Sequence, residues 1–234
     1  SLIITIGSLL QAQELSKNII IDQFGYLPAS QKIAVIKNPK IGFDKGQTYV
    51  PGKKFAVIDA ESGDKVYSSK IKSWSKGATD ESSGDQVWHF DFSKVSQAGK
   101  YYILDIMSQR RSYEFLIADD VYNEVLKHAV RTFYYQRVGF RKDSAFAGVA
   151  WADEASHIGP GQDMNCRSFF DQDNPATEKD VSGGWYDAGD YNKYTSWTAN
   201  YVVELMKAYI ENPKVWADDY NIPESGNGVP DLLD

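Results

Sequence analysis

The sequence predicts a two-part fold, mainly β at its start and α-helical after it. Three observations carry this: short β-rich runs separated by turn residues up to Ile117, a change of apolar period at Ala118-Asp119-Asp120, and two later stretches with helical spacing. A length of 234 residues suits two ordinary domains. The hydrophobic share of 42% and the charged share of 24% are those of a folded globular chain.

The β-rich runs begin at Asn18. Ile19-Ile20-Ile21, Ile33-Ala34-Val35-Ile36, Phe55-Ala56-Val57-Ile58, Val87-Trp88-His89-Phe90, Tyr101-Tyr102-Ile103-Leu104 and Tyr113-Glu114-Phe115-Leu116-Ile117 are the clearest. Pro51-Gly52, Ser62-Gly63-Asp64, Ser82-Ser83-Gly84-Asp85 and Ala98-Gly99-Lys100 punctuate them. Strands at this spacing with no helix between them predict an immunoglobulin-like sandwich over residues 17–118.

After Ala118 the period becomes helical. Val121, Val125, Leu126, Ala129, Val130, Phe133 and Tyr134 line one face of a helix that Asp119 or Asp120 caps and that ends near Gly139. A second helix runs from about Ser196 to Ile210, with Tyr201, Val202, Leu205, Met206 and Tyr209 as its stripe, and Asn212-Pro213 stops it. Residues 119–234 therefore form a separate, α-rich part.

Composition narrows the function. A net charge of −7 without a basic run argues against nucleic acid as a partner, because neutralising phosphates takes clustered Lys and Arg. The aromatic share of 14% suits sugar faces and sandwich cores alike. One cysteine, Cys166, excludes an intrachain disulfide and a thiolate-rich metal site. At the front, Leu2 to Leu10 is an apolar run too short to span a bilayer, and Gln11-Ala12-Gln13 follows it. Residues 1–13 thus read as the remnant of a signal peptide, with a buried first strand as the other reading. The expected mature protein is secreted or periplasmic, bacterial, and free of a membrane.

The residues between the helices, Phe140 to Tyr194, have little periodicity, and loops of this length are usually functional. They end in Gly183-Gly184-Trp185-Tyr186-Asp187-Ala188-Gly189-Asp190-Tyr191-Asn192-Lys193-Tyr194. Two carboxylates three residues apart can hold a water between two acceptors and take its proton. Equally, an Asp-x-x-Asp can be an acidic turn that caps the helix behind it. Lys193 either neutralises the pair or is a solvated charge at the helix start.

The flanking residues decide between these. GGWYDAGDYNKY resembles the catalytic-base motif of glycoside hydrolase family 9, which contains endoglucanases and related β-glucan-cleaving enzymes. Three other segments are similar in the same order. Ile21-Asp22-Gln23-Phe24-Gly25-Tyr26-Leu27-Pro28 resembles the opening strand of the immunoglobulin-like module before such catalytic domains. Ala129 to Arg137 resembles the first catalytic-domain helix, and Asn227 to Asp234 the start of a later one. The resemblance covers the chain from Asn18 onward.

It implies that residues 119–234 are the N-terminal part of an (α/α)6 barrel in a β-1,4-glucan hydrolase that inverts the anomeric centre. Asp190 matches the general base, and Asp187 the partner that positions the water. Among the rings at the motif, Trp185 and Tyr186 are assigned to substrate and Tyr194 to packing. The family's general acid is a Glu beyond Asp234, so the chain as it stands lacks it, is expected to be inactive alone, and needs the remainder of its catalytic domain as partner. Relatives with a structural zinc carry cysteines where this chain has Val138 and Ser156, leaving His157 and Cys166 short of four ligands. No metal and no cofactor are expected. The other readings are an exo-acting β-glucosidase or glucosaminidase of the same family, and a non-catalytic carbohydrate-binding or scaffold module.

Overall fold

The structure is a computed structural model that describes residues 13–234; the leader reading falls mostly on residues 1–12, outside the described residues. The described residues divide into two compact units, one up to Asn123 and one over Glu124–Asp234. No helix among the described residues is long and apolar enough to cross a membrane.

The described residues of the first unit form ten strands: β1 (Glu14–Leu15), β2 (Ile19–Ile20), β3 (Ile33–Pro39), β4 (Lys54–Asp59), β5 (Lys65–Lys70), β6 (Lys72–Ser73), β7 (Asp85–Asp91), β8 (Gly99–Asp105), β9 (Arg110–Arg111) and β10 (Phe115–Ile117). One sheet has the order β1-β9-β8-β4-β5, with β10 also on β8; the other has the order β2-β3-β7-β6. In the second sheet β3 and β7 pair antiparallel from Ile33–Asp91 to Pro39–Asp85. Alternation then turns Ala34, Ile36 and Phe90 inward, to meet Phe55, Val57, Tyr101 and Ile103 of the first sheet in one core.

The sandwich agrees with the expected fold class, and three details depart from the strand reading. Lys65-Val66-Tyr67-Ser68-Ser69-Lys70 carries little apolar signal yet forms edge strand β5, whose Tyr67 packs on the core and whose lysines suit an edge. β4 is buried on both faces, because Ala56, Ile58 and Leu104 make a second small cluster under Tyr102. Tyr113 lies before β10 rather than in it, and is half exposed.

Tyr26 explains the Asp22–Pro28 segment. Its backbone N–H donates to the Leu116 carbonyl at 2.9 Å, its carbonyl accepts from Ala118 N–H at 3.1 Å, and its ring meets Phe92 and Phe115 edge-on. Gly25 sits at φ 105°, where a Cβ would come within 2.6 Å of the Leu116 carbonyl oxygen, so the close approach requires glycine. Burial pushes the Tyr26 hydroxyl up to about 12.

The second unit contains α1 (Asn123–Gln136), α2 (Ser144–Ala147) and α3 (Thr195–Glu211), with single 3₁₀ turns between and after them. α1 starts later than Asp119 or Asp120 would cap: residues 119–122 are turns, closed by Asn123 N–H on the Asp120 carbonyl. Of its expected stripe only Val130 and Tyr134 are buried. Val130 packs with Tyr220 and Leu232, against which Leu205 and Tyr209 of α3 lie partly buried; Val202 and Met206 remain exposed.

Asp105, fully buried at the end of β8, organises one end of the sandwich. Its Oδ2 accepts from the Tyr49 hydroxyl at 2.6 Å and Gly52 N–H at 2.9 Å, and its Oδ1 from Met107 N–H at 2.9 Å. Burial raises its pKa, but these donors outweigh it and hold the carboxyl below the usual carboxylate range. The stabilisation from a depressed carboxylate is complete above the unfolded value of about 3.9 and is lost as pH falls through the folded value. Asp105→Asn should cost about 2–3 kcal/mol in urea unfolding at neutral pH and flatten the fall in stability below about pH 4.

Candidate active site

The acidic motif is fastened to the end of α1. The last carbonyls of a helix have no partner within it, and here Gln136 O accepts from Tyr186 N–H at 2.9 Å while Val138 N–H donates to Gly184 O at 2.9 Å. Arg137 and Trp185 form the antiparallel bridge between these bonds. Gly139, at φ 71°, turns the chain away from the helix. Below the bridge Arg137 Nη1 binds both oxygens of Glu224 at 2.9 and 3.0 Å, and Lys142 Nζ donates to the carbonyls of Arg137 and Phe140.

The motif then folds into a tight turn. Asp187 N–H donates to Asn192 O at 2.8 Å, so the two ends of Asp187–Asn192 meet. Gly189 does not supply the left-handed residue of this turn; Tyr191 does, at φ 60°. A side chain held there stores strain, and such residues concentrate at functional sites. Asp190 is exposed, and Asn192 orients it: Nδ2 donates to Oδ2 at 2.9 Å and the backbone N–H approaches Oδ1 at 3.4 Å. Asp187 is half-buried. Loss of solvent, and then the charge of Asp190, push its carboxyl above the usual range. The turn therefore brings the two expected carboxylates into electrostatic contact, with the second one presented to solvent.

Lys193 takes neither role expected of it. Its ammonium is largely buried and donates to Asp163 Oδ2 at 2.5 Å, Val181 O at 2.6 Å and Gly183 O at 2.9 Å. Asp163 Oδ1 also faces His157 Nδ1 at 3.4 Å. Lys193 thus ties the start of α3 to two separate parts of the long loop. The partners of Lys193 lay outside the sequence reading, since neither spacing nor period marks a residue 30 positions away as a partner.

The rings at the motif differ in burial. Tyr186 is buried, with its hydroxyl on Ser156 Oγ, its ring edge-on to Tyr191 at 4.9 Å and Lys142 Nζ at 5.5 Å from its centre. Trp185 is half-buried, edge-on to Phe133 and Tyr201. Rings on α1 and α3 thus hold Trp185, while Tyr186 is held by Ser156, Tyr191 and Lys142 outside those helices. Tyr194, assigned to packing, is the more exposed, tilted against Trp197 at 5.0 Å. Tyr191 is the exposed ring beside the carboxylates. At the position compared with zinc-bearing relatives, Val138 is buried, His157 faces Asp163, and Cys166 Sγ lies 3.8 Å from the Arg167 carbonyl.

Comparison with known proteins agrees with this division. Residues 14–108 match the family described as Cellulase N-terminal ig-like domain, and residues 122–227 match Glycosyl hydrolase family 9. The chain is 35% identical over 223 residues to the Xyloglucan-specific endo-beta-1,4-glucanase BoGH9A of Bacteroides ovatus, a match covering 92% of this chain and 34% of that protein. It is 29% identical over 218 residues to a Cellodextrinase of Butyrivibrio fibrisolvens, covering 89% of this chain and 35% of the relative. Among solved structures it is similar to Bacteroides ovatus GH9 at a TM-score of 0.74 and 31% identity, covering 94% of this chain and 37% of that one. A metagenome-derived family 9 endoglucanase matches at 0.68 and 32%, covering 92% and 38%. The chain spans about a third of the length of these curated relatives. With an ig-like sandwich, the opening part of the catalytic domain behind it, and the GGWYDAGDYNKY turn between α1 and α3, the chain belongs to glycosyl hydrolase family 9.

Proposed function

We propose that the protein hydrolyses β-1,4-glucosidic bonds in cellulose or related β-glucans with inversion, Asp190 acting as the general base and Asp187 as its partner. The observation that carries this reading is the Asp187–Asn192 turn, which presents the Asp190 carboxylate to solvent with Asn192 on one side of it. In that arrangement a water donates one proton toward Asp190 while Asp187 accepts the other, which aims the oxygen lone pair at the anomeric carbon. An inverting reaction also needs an acid about 6.5–9.5 Å across the sugar from the base. The family resemblance assigns that role to a Glu, and the Asp187–Asn192 turn supplies the base.

The names of the relatives support a β-glucan and leave its decoration open, since one is called xyloglucan-specific and another a cellodextrinase. Among the rings at the motif, the exposed Tyr191 is the candidate for contact with sugar, and Trp185 and Tyr186 hold the turn in place. The leader reading makes the protein an exported one. N-terminal sequencing of the mature protein should begin at or just after Gln13, and recovery with residues 1–13 intact would refute export by this leader.

In the full-length enzyme, Asp190→Ala should lower kcat on carboxymethylcellulose by at least about a hundredfold, the smaller end of what a positioned base contributes. Near-normal turnover would remove Asp190 from the role. Asn192→Ala should lower kcat about tenfold with KM unchanged, because it loosens the base without touching substrate. Carboxyl NMR should find Asp187 titrating above the ordinary carboxylate range and moving down in Asp190→Asn, as one of the two causes of its shift is removed. An unmoved Asp187 would show that the carboxylates do not act as a pair.

A further inference from the structure

The sandwich is open where the chain passes from one sheet to the other. Only Ile71 separates β5, at the edge of the first sheet, from β6, at the edge of the second. β6 is short, so its ladder to β7 stops at His89, whereas the ladder from β3 runs on to Asp91. A groove of about 670 Å³ lies here, lined among others by Tyr67, Ser69, Lys72, Trp74, His89 and Asp91. Its size is that of a small-molecule site.

The turn Trp74–Gly77 at this groove is strained, and no core contact accounts for the strain. None of its residues is buried, yet Ser75 and Lys76 hold left-handed conformations at φ 42° and 56°, and Gly77 follows at 88°. Of the three only the glycine adopts that region freely. Such strain persists where neighbours enforce it, and it collects at ligand sites. The neighbours are present: Gln86 Nε2 donates to Gly77 O at 3.0 Å, and Ala78 N–H closes the turn on Ser75 O at 3.1 Å. The Trp74 ring, 38% exposed, is thereby held beside the groove, while Trp88 on β7 packs against the core. A lone exposed ring needs no explanation. A ring on a fixed, strained turn beside a polar groove does.

We propose that this groove is a second binding site for a neutral β-glucan chain, apart from the catalytic turn; the choice of glycan rests on the substrate class proposed above. A sugar ring offers an apolar face and a rim of hydroxyls, so it is held by an aromatic face together with mixed donors and acceptors. Trp74 is the aromatic. Asp91 is the acceptor: Ser93 N–H and the Ser93 hydroxyl both bind its Oδ1, at 3.0 and 2.7 Å, which fixes the carboxylate and keeps Oδ2 out of those bonds. Ser69, Lys72 and His89 are the donors. Lys70 and Lys94 also line the groove, which makes an acidic oligosaccharide the rival ligand, but Asp91 among them opposes a sugar carboxylate. A polymer held here stays at high local concentration around the enzyme that holds it.

The test uses the full-length protein in an Asp190→Ala background, which stops turnover, with its tryptophans replaced by fluorotryptophan. The fluorine resonance missing from Trp74→Phe identifies Trp74. Cellohexaose should shift that resonance saturably, and hexagalacturonate should leave it in place. Affinity electrophoresis in hydroxyethylcellulose reads binding without the label: Trp74→Ala should raise the apparent Kd about threefold, as one of two contacts with the polymer is lost, and Trp74→Phe should restore most of the retardation. A Trp74 resonance unmoved by cellohexaose, or equal retardation of the Trp74→Ala protein, would overturn the site. So would a response to hexagalacturonate alone. With Asp190 intact, Trp74→Ala should turn over cellotetraose as wild type does, and loss of that turnover would make Trp74 a structural residue. If wild type itself leaves cellotetraose uncleaved, the proposed reaction falls, and the fluorine shift still decides the groove.

Discussion

The ordering of the acidic turn depends on one cation with no freedom left. Lys193 spends its three ammonium protons on Asp163, Val181 O and Gly183 O, so a charge that is expensive to remove from water is matched donor for acceptor. Because Lys193 is three residues from Asp190 and one from Asn192, fixing its position fixes the end of the turn. A single Coulombic contact would not do this. Two carbonyls and a carboxylate from distant parts of the loop define the ammonium's location in three dimensions, which a lone surface ion pair cannot.

The sandwich uses the same device with the opposite sign. Asp105 is a buried anion surrounded by the Tyr49 hydroxyl and backbone N–H groups, and Gly52 reaches it because a Cβ there would lie 2.4 Å from Oδ1. In both units an ionised group at an element's end gathers backbone that has no sheet or helix to pair with. Loops that would otherwise leave buried polar groups bare are satisfied in this way.

Much of this was legible in the sequence, and what was not follows a pattern. β3, β4, β7 and β8 were readable because each carries a short β-rich run bounded by turn residues, and the fold class followed from them. β5 was not, since an edge strand needs only Tyr67 inside and can otherwise be polar. The carboxylates of the turn were found through their flanking residues rather than their spacing. The burial of Trp185 and Tyr186 was not legible, because an aromatic beside a catalytic motif has the same letter whether it faces sugar or core. The partners of Lys193 escaped for a related reason: they are set by the closed loop, and its closure is a tertiary fact.

That closure separates two jobs within one stretch of chain. Val138 and Gly184 are hydrogen-bonded partners, so the residues between them leave the end of α1 and return to nearly the same point. The entropic penalty for lengthening a loop whose ends are already clamped grows only logarithmically with its length. The largely exposed residues 167–178, closed off by the Cys166–Lys179 bridge, can therefore be exchanged, shortened or extended while the carboxylates behind Gly184 keep their place, provided that Asp163 and the carbonyls around Val181 survive to receive Lys193. Sequence change in such a closed segment is decoupled from the geometry of the turn behind it.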